Sequence, residues 1–335
     1  MKVVELRDRF GVDGLKLVER PDLVPGPGQV VLKMKAFSIN YRDLLVANGV
    51  GRWKPPFGRI PLSDGVGIVA STGTGVSRVK VGDRVAPIFY PQWLQGGAAS
   101  EKMTGALGGA AADGVLAEYT LFGESSLVHV PPHLTDEEAA TLPCAGVTAW
   151  QGVYLLRKLT PGDSVVVLGT GGVSIFSLQF ARLRRARVIV TSSSDEKLAR
   201  ATQLGADAVI NYKTTSYWPK VVASLTDGNG ADFVVDTVGN LEQSIAAVRV
   251  GGTVAFVGLL TGMTAEVDLV TFMGKSARVQ AVDVGSREMF EAMNKAIEFH
   301  ALRPVVDRVF GFSELPEALN YLREARHLGK VCLCA

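Results

Sequence analysis

Ser164-Val165-Val166-Val167-Leu168-Gly169-Thr170-Gly171-Gly172-Val173-Ser174, continuing into Ile175-Phe176-Ser177-Leu178-Gln179-Phe180-Ala181, decides how the rest of this sequence is read. A short β-branched run ends in a glycine turn, and the turn opens directly into an amphipathic helix. Glycines there let the backbone turn tightly and approach a pyrophosphate, and the helix start offers free N–H groups and a positive dipole end. This is the layout that opens a dinucleotide-binding βαβ unit. Ser174 stands where a third glycine is usual, and a small residue still permits close helix–strand packing. The same glycines would also serve an ordinary strand–turn–helix, so the downstream pattern has to decide.

Downstream, buried-strand patterns recur at residues 187–192, 208–212, 232–239, 252–258 and 277–282. Between the first two, residues 195–204 read as a helix with Asp195 as its N-cap and Gly205 as its stop. Continuous apolar runs separated by helical segments indicate a parallel sheet covered on both faces. Six such strands fit a doubly wound sheet that binds its ligand at the C-terminal strand ends. A cofactor without a 2′-phosphate usually meets an Asp or Glu about 20 residues beyond the glycine turn. Here the sequence has Ser192-Ser193-Ser194, with Lys197 one helical turn on. Hydroxyls and an ammonium suit a phosphate, so the residues lean to NADP(H) over NAD(H); a plain solvated serine loop is the alternative.

The first 125 residues have another texture. Residues 29–36 alternate as a half-buried strand after the Pro25-Gly26-Pro27-Gly28 turn, and 65–70 and 83–88 are further short strands. Short strands between glycine-rich turns suggest a small barrel or sandwich. Residues 90–113 show no period, and so long a loop is commonly a lid or a cleft wall.

The chain has 335 residues and a formal net charge of +2, with no basic tract or acidic tail, so neither nucleic acid nor a membrane surface is indicated. The start, Met1-Lys2-Val3-Val4-Glu5, shows no apolar signal core, and no run reaches membrane-spanning length. Three cysteines make no disulfide framework, and a cytoplasmic, reducing location is expected.

Several separate segments carry a family resemblance: Ser38-Ile39-Asn40-Tyr41-Arg42-Asp43, Pro61-Leu62-Ser63-Asp64-Gly65-Val66-Gly67, Val81-Gly82-Asp83-Arg84-Val85 and Asp113-Gly114-Val115-Leu116-Ala117-Glu118-Tyr119. Leu142-Pro143-Cys144-Ala145-Gly146-Val147-Thr148-Ala149-Trp150, the glycine turn and Leu328-Gly329-Lys330-Val331 complete it. Nearly end to end, the chain resembles the medium-chain dehydrogenase/reductase superfamily. The resemblance implies an α/β fold in which a Rossmann doubly wound sheet is inserted into a mainly-β, GroES-like catalytic domain. The expected division is a catalytic domain at 1–125, an NADP(H)-binding domain at 126–285 and a return to the catalytic domain at 286–335, with a cleft between domains. A homodimer through the edge strand 277–282 is also implied.

Within that superfamily the sequence resembles the zinc-independent branch, the quinone oxidoreductases and zinc-type alcohol dehydrogenase-like proteins. Catalytic zinc needs three protein ligands and an open position. The first ligand place has Asn40-Tyr41, the second has Ser63-Asp64, and Cys144 alone falls at the third. No metal is expected, and Cys144 reads as a small buried hydrophobe.

The resemblance places Asn40, Tyr41 and Thr148 at the reaction, with Thr148 beside the nicotinamide. Asn40 would donate to a developing enolate oxygen, and Tyr41 would supply a proton or a contact; Asn40 satisfying a backbone bend is the plain alternative. Gly171, Gly172 and Val173 would take the pyrophosphate, and Ser192, Ser193, Lys197 and Tyr212 the adenosine phosphate side. Val238, Leu259, Val282, Asp283 and Val284 would face the nicotinamide half. Lys330 would reach the cofactor from the tail, or else lie solvated at the surface. Phe57, Ser63, Tyr90 and Trp93 are candidate pocket walls. Asp43 and Asp64 are expected to pair with Arg42 or another cation rather than act as acids.

Three functions remain open on these residues. One is NADPH-dependent reduction of a conjugated carbonyl, enone or quinone. Another is alcohol or carbonyl dehydrogenase activity without zinc. The third is cofactor binding in a non-catalytic role.

Overall fold

The structure is a computed structural model that describes residues 1–156 and 158–335. Its backbone divides into two units, residues 1–147 with 284–335, and residues 148–283.

The first unit is mainly β. Strands β1 (Lys2–Leu6) and β2 (Leu15–Glu19) form an antiparallel pair. A second sheet is built on β3 (Gln29–Ile39), with β4 (Asp64–Thr72), β5 (Arg84–Pro87), β6 (Tyr119–Gly123) and β7 (Leu127–His129). β3 is the organising strand, because it pairs antiparallel with β4 on one side and with β6 along its first half on the other. Its expected polar alternation is largely lost: Lys33 is its only exposed residue. The helix Asp136–Ala140 packs against β3 and β4, which covers a face that the alternation had left to water.

The expected boundary at 125/126 moves to 147/148 for the same reason. β7 pairs with β5 and the helix Asp136–Ala140 lies on this sheet, so both belong to the first unit.

The second unit carries a parallel sheet. Its strands are β8 (Ser164–Leu168), β9 (Arg187–Ser192), β10 (Ala208–Asn211), β11 (Ala231–Asp236), β12 (Val248–Phe256) and β13 (Arg278–Ala281). They lie in the order β10-β9-β8-β11-β12-β13, and every pairing is parallel. The order reverses between β8 and β11, the switch point at which such sheets bind ligands. Val165, Val166 and Val167 are fully buried, and the helix Gly172–Leu183 buries Ile175, Phe176, Leu178 and Phe180.

The chain then returns to the first unit through the helix Arg287–Phe299, β14 (Val306–Gly311), the helix Leu315–Arg323 and β15 (Lys330–Cys334). β15 pairs antiparallel with the second half of β3, setting Val331 opposite Ile39 and Cys332 opposite Ser38. Among the described residues no helix is long and apolar enough to cross a membrane.

Candidate active site

Asn40 follows directly on β3 and stands as the N-cap of the short helix Tyr41–Ala47. An N-cap asparagine normally spends its side-chain oxygen on the helix's free N–H groups. Here it does not. Asn40 Oδ1 accepts from Lys330 Nζ at 2.6 Å, and the same ammonium donates to Ile39 O at 2.6 Å. The helix start is served instead by Asp43, whose Oδ2 accepts from Asn40 N at 2.8 Å. The reading of Asn40 as a filler of backbone groups is thereby replaced.

Lys330 is 4% exposed. The surface reading of this lysine fails because β15 carries it in beside the end of β3. With Oδ1 taken, Asn40 Nδ2 is buried and has no well-formed hydrogen bond, although it lies near enough to Asp64 to favour that carboxylate's ionised form.

Asp64 is fully buried at the start of β4; its Oδ1 accepts from Ser63 Oγ at 2.7 Å and its Oδ2 from Cys144 N at 3.2 Å. Burial pushes its carboxyl up to about 6, against the opposing pull of Lys330, of the nearby Asn40 amide and of the Ser63 hydrogen bond. Asp43 is also pushed up by burial, opposed first by Arg42, with which it forms the expected pair at 3.1 Å.

Cys144 lies in a π-helical turn, Leu142–Gly146, that contains Pro143. Proline removes a donor from the helical ladder and widens it, and the Cys144 amide is left to reach Asp64. Burial and the neighbouring Asp64 push the thiol well above its ordinary range.

Leu62 stands directly before Ser63 and Asp64. It has φ 68°, a left-handed conformation that leucine adopts only under constraint. Gly108 comes so close that a Cβ there would lie 2.7 Å from Leu62 O, and Gly114 presses on the same carbonyl. Residues 90–113 are therefore fastened down: Arg42 donates to Leu107 O, and Arg287 N and Glu288 N donate to Trp93 O and Leu94 O. Trp93 is 0% exposed with its indole N–H on Gly96 O, which makes it core rather than an open pocket wall. Tyr90 is nearly as buried and packs against Phe89, whereas Phe57 is half exposed against Phe10.

The donor set Asn40, Ser63, Asp64 and Cys144 does not fit a zinc ion. Catalytic zinc takes three Cys, His or carboxylate ligands, whereas this set offers one thiol and one carboxylate, with the Lys330 ammonium on the neighbouring amide. Among the described residues no group of three or more His, Cys, Asp or Glu could hold a metal.

In the second unit the candidate cofactor residues gather at one edge of the sheet. Gly171, Gly172 and Val173 follow β8, Ser192 and Ser193 close β9, and Tyr212 follows β10; Val238, Leu259, Val282 and Asp283 follow β11, β12 and β13. All are at C-terminal strand ends. Gly171 has φ −76° and ψ −174°, and a Cβ there would meet nothing within 4 Å. Neither backbone strain nor packing requires glycine at this place. It keeps the helix start open to something from outside the chain, and that first turn has no side-chain cap. A dinucleotide pyrophosphate fits this cradle. Ser174 is buried and donates to Leu168 O at 2.8 Å, so it makes the close strand–helix contact itself.

Ser194, not Asp195, caps the helix Asp195–Gln203, accepting from Lys197 N at 3.3 Å. The reason is reach: Asp195 is already the first helical residue, and its carboxylate instead accepts from Asn211 Nδ2 at 2.6 Å. Ser192 is buried, whereas Ser193 and Ser194 are both half-buried, and Ser194 Oγ is used by the cap. Thr148 is buried in the helix Val147–Trp150. Val284 and Lys330 belong to the first unit.

Comparison with known proteins agrees with both units. Residues 26–132 match the profile described as alcohol dehydrogenase GroES-like domain, and residues 172–299 match zinc-binding dehydrogenase. The second profile is named for zinc but covers none of Asn40, Asp64 and Cys144. A zinc-type alcohol dehydrogenase-like protein of Schizosaccharomyces pombe is 41% identical over 92% of this chain and 91% of its own. A 2-methylene-furan-3-one reductase of Solanum lycopersicum is 32% identical over 99% of this chain and 79% of its own. The crystal structure of an NAD-dependent alcohol dehydrogenase superposes with TM-score 0.92 at 34% identity, covering 100% of both chains. Sequence motifs, strand order and relatives thus agree that the chain belongs to the medium-chain dehydrogenase/reductase superfamily and is an oxidoreductase of that type.

Proposed function

We propose that this chain is a zinc-independent, NADPH-preferring reductase of conjugated carbonyls or quinones. The observation that carries the reading is the Asn40 amide. Its oxygen is tied to Lys330 and its nitrogen is left without a well-formed bond, beside a donor set that does not fit zinc. A bound nicotinamide supplies the hydride. For an enone the hydride enters at the β-carbon, the C=C electron pair moves toward oxygen, and the enolate then takes a proton at the α-carbon. Asn40 Nδ2 would hydrogen-bond the oxygen as that charge develops. Tyr41, 42% exposed at the first position of its helix, is the candidate proton donor. The tomato relative is named for an acceptor with a methylene beside a ring ketone, which is this electron arrangement.

Preference for NADPH is supported by Ser192 and Ser193 at the end of β9, with Asp195 engaged by Asn211. Gly171, Gly172 and Val173 would hold the pyrophosphate. Reduction of a saturated carbonyl is the second reading, favoured by the alcohol dehydrogenase names among the relatives.

We also propose a homodimer through β13. It is the outer strand of its sheet, and the adjacent helix Leu269–Lys275 leaves Val270 and Met273 81% and 79% exposed; an uncovered edge beside an apolar helix invites a second copy. None of the three cysteines is in a disulfide, which supports a cytoplasmic, reducing setting.

The deciding experiment is the initial rate of NADPH oxidation by chelator-treated protein, comparing a conjugated enal with the saturated aldehyde of equal length. Preference for the enal supports double-bond reduction. Preference for the aldehyde replaces it with carbonyl reduction, and NADPH binding without turnover of either leaves the non-catalytic role.

A further inference from the structure

We propose that Lys330 is a positioning residue of the acceptor site, fixing which end of the Asn40 amide an incoming carbonyl oxygen meets. The inference rests on the proposed role of Asn40. An amide side chain offers an acceptor at one end and two donors at the other, and its two flipped forms have nearly the same shape. Only one form is useful to an oxygen that gathers negative charge. In the other, a lone pair of Oδ1 would face that oxygen and oppose the reaction.

Asp64 already favours the useful form, because its carboxylate lies near enough to Asn40 Nδ2 to be stabilised by it. The Asn40 backbone N–H is bound by Asp43, and the side chain forms no cap hydrogen bond. Lys330, from β15, acts on the other end of the amide. Lys330 Nζ is held by Ile39 O and donates to Asn40 Oδ1, both at 2.6 Å. An ammonium has donors only, so it accepts one orientation of the amide and rejects the other. Nδ2 is then the end that lies near Asp64, buried and without a well-formed hydrogen bond. The backbone anchor on Ile39 matters as well, since it removes the freedom that a four-carbon side chain would otherwise have.

A double-mutant cycle on kcat, with an enal and with a saturated aldehyde, tests this. Lys330→Met and Asn40→Ala should each lower kcat about 10- to 100-fold on the acceptor that is turned over, with the Kd for NADPH within threefold of the parent. The double variant should be no slower than the worse single variant, because residues acting as a unit are not additive. Lys330→Gln, which keeps a donor for Asn40 Oδ1, should recover at least a third of the parental kcat and also serves if the Met variant does not fold. Additive losses would overturn the proposal. So would a Gln variant as slow as the Met variant, or a Met variant of parental kcat. The choice of acceptor tests the reaction class, whereas the cycle tests Lys330, so the two can fail separately.

Discussion

The backbone N–H of Cys144 donates to the Asp64 carboxylate, 3.2 Å from Oδ2, and so the Cys144 thiol is held beside a buried acid. Burial and that acid both oppose formation of the thiolate, the reactive form of cysteine. Burial likewise pushes Cys332 up to about 12. In the folded protein at pH 8, iodoacetamide should label Cys144 and Cys332 at least tenfold more slowly than in denaturant. Peptide mass mapping after timed quenching reads each site, and rapid labelling of folded Cys144 would contradict the environment described.

Asp64 sets a pH dependence of definite sign. Its folded carboxyl is raised from 3.8 to about 6, so the protonated form is favoured by folding. The associated stability is present below about pH 4 and is lost as pH rises through 6. The change corresponds to roughly 3 kcal/mol. The stability of Asp64→Asn relative to the parent should therefore rise between pH 4 and 7 by up to that amount. Urea midpoints measured across this range would show it, and a flat difference would not agree.

Gly171 separates binding from folding. Because its backbone is ordinary and a side chain would meet nothing, Gly171→Val should leave the thermal midpoint within about 2 °C of the parent. The same side chain would fill the approach to the helix start and weaken NADPH at least tenfold, as read by fluorescence titration.

Gly108 should behave oppositely. Gly108→Ala puts a Cβ 2.7 Å from Leu62 O at a φ of +65°, a combination expected to cost about 1–3 kcal/mol. The displaced backbone leads directly into Ser63 and Asp64, so kcat should fall together with the thermal midpoint.

Ser193→Asp should reverse the nucleotide preference. A carboxylate at the end of β9 would repel a 2′-phosphate and receive ribose hydroxyls. The NADH-to-NADPH ratio of kcat/KM should rise at least tenfold.

The second unit was legible because each of its elements is written within a short stretch of chain. β8 and β9 span residues 164–168 and 187–192 as the apolar runs suggest, and the cofactor candidates fall at one sheet edge through strand order alone. Ser194 against Asp195 shows the grain of that reading: both are good caps, and only the backbone says which stands outside the helix. The acceptor cluster was less legible. Asn40 was named, but its partner Lys330 is 290 residues away. A trace of the relationship was in plain view, since Lys330 heads the apolar run Val331-Cys332-Leu333, where a charge needs a reason. Likewise, nothing in the glycine content of residues 90–113 reveals that Gly108 leans on Leu62.

The pairing of β15 with β3 has a consequence for how the molecule is made. Residues 148–283 form one uninterrupted stretch and can assemble their sheet as soon as they have left the ribosome. The first unit cannot complete its sheet until residues 330–334 are synthesised, because until then the second half of β3 is paired on the β4 side alone. During that interval the end of β3 is an open template and Asn40 has no ammonium beside it. The nascent chain thus acquires its nucleotide cradle before its acceptor site, and a chain clipped ahead of Lys330 would keep the first and lack the second.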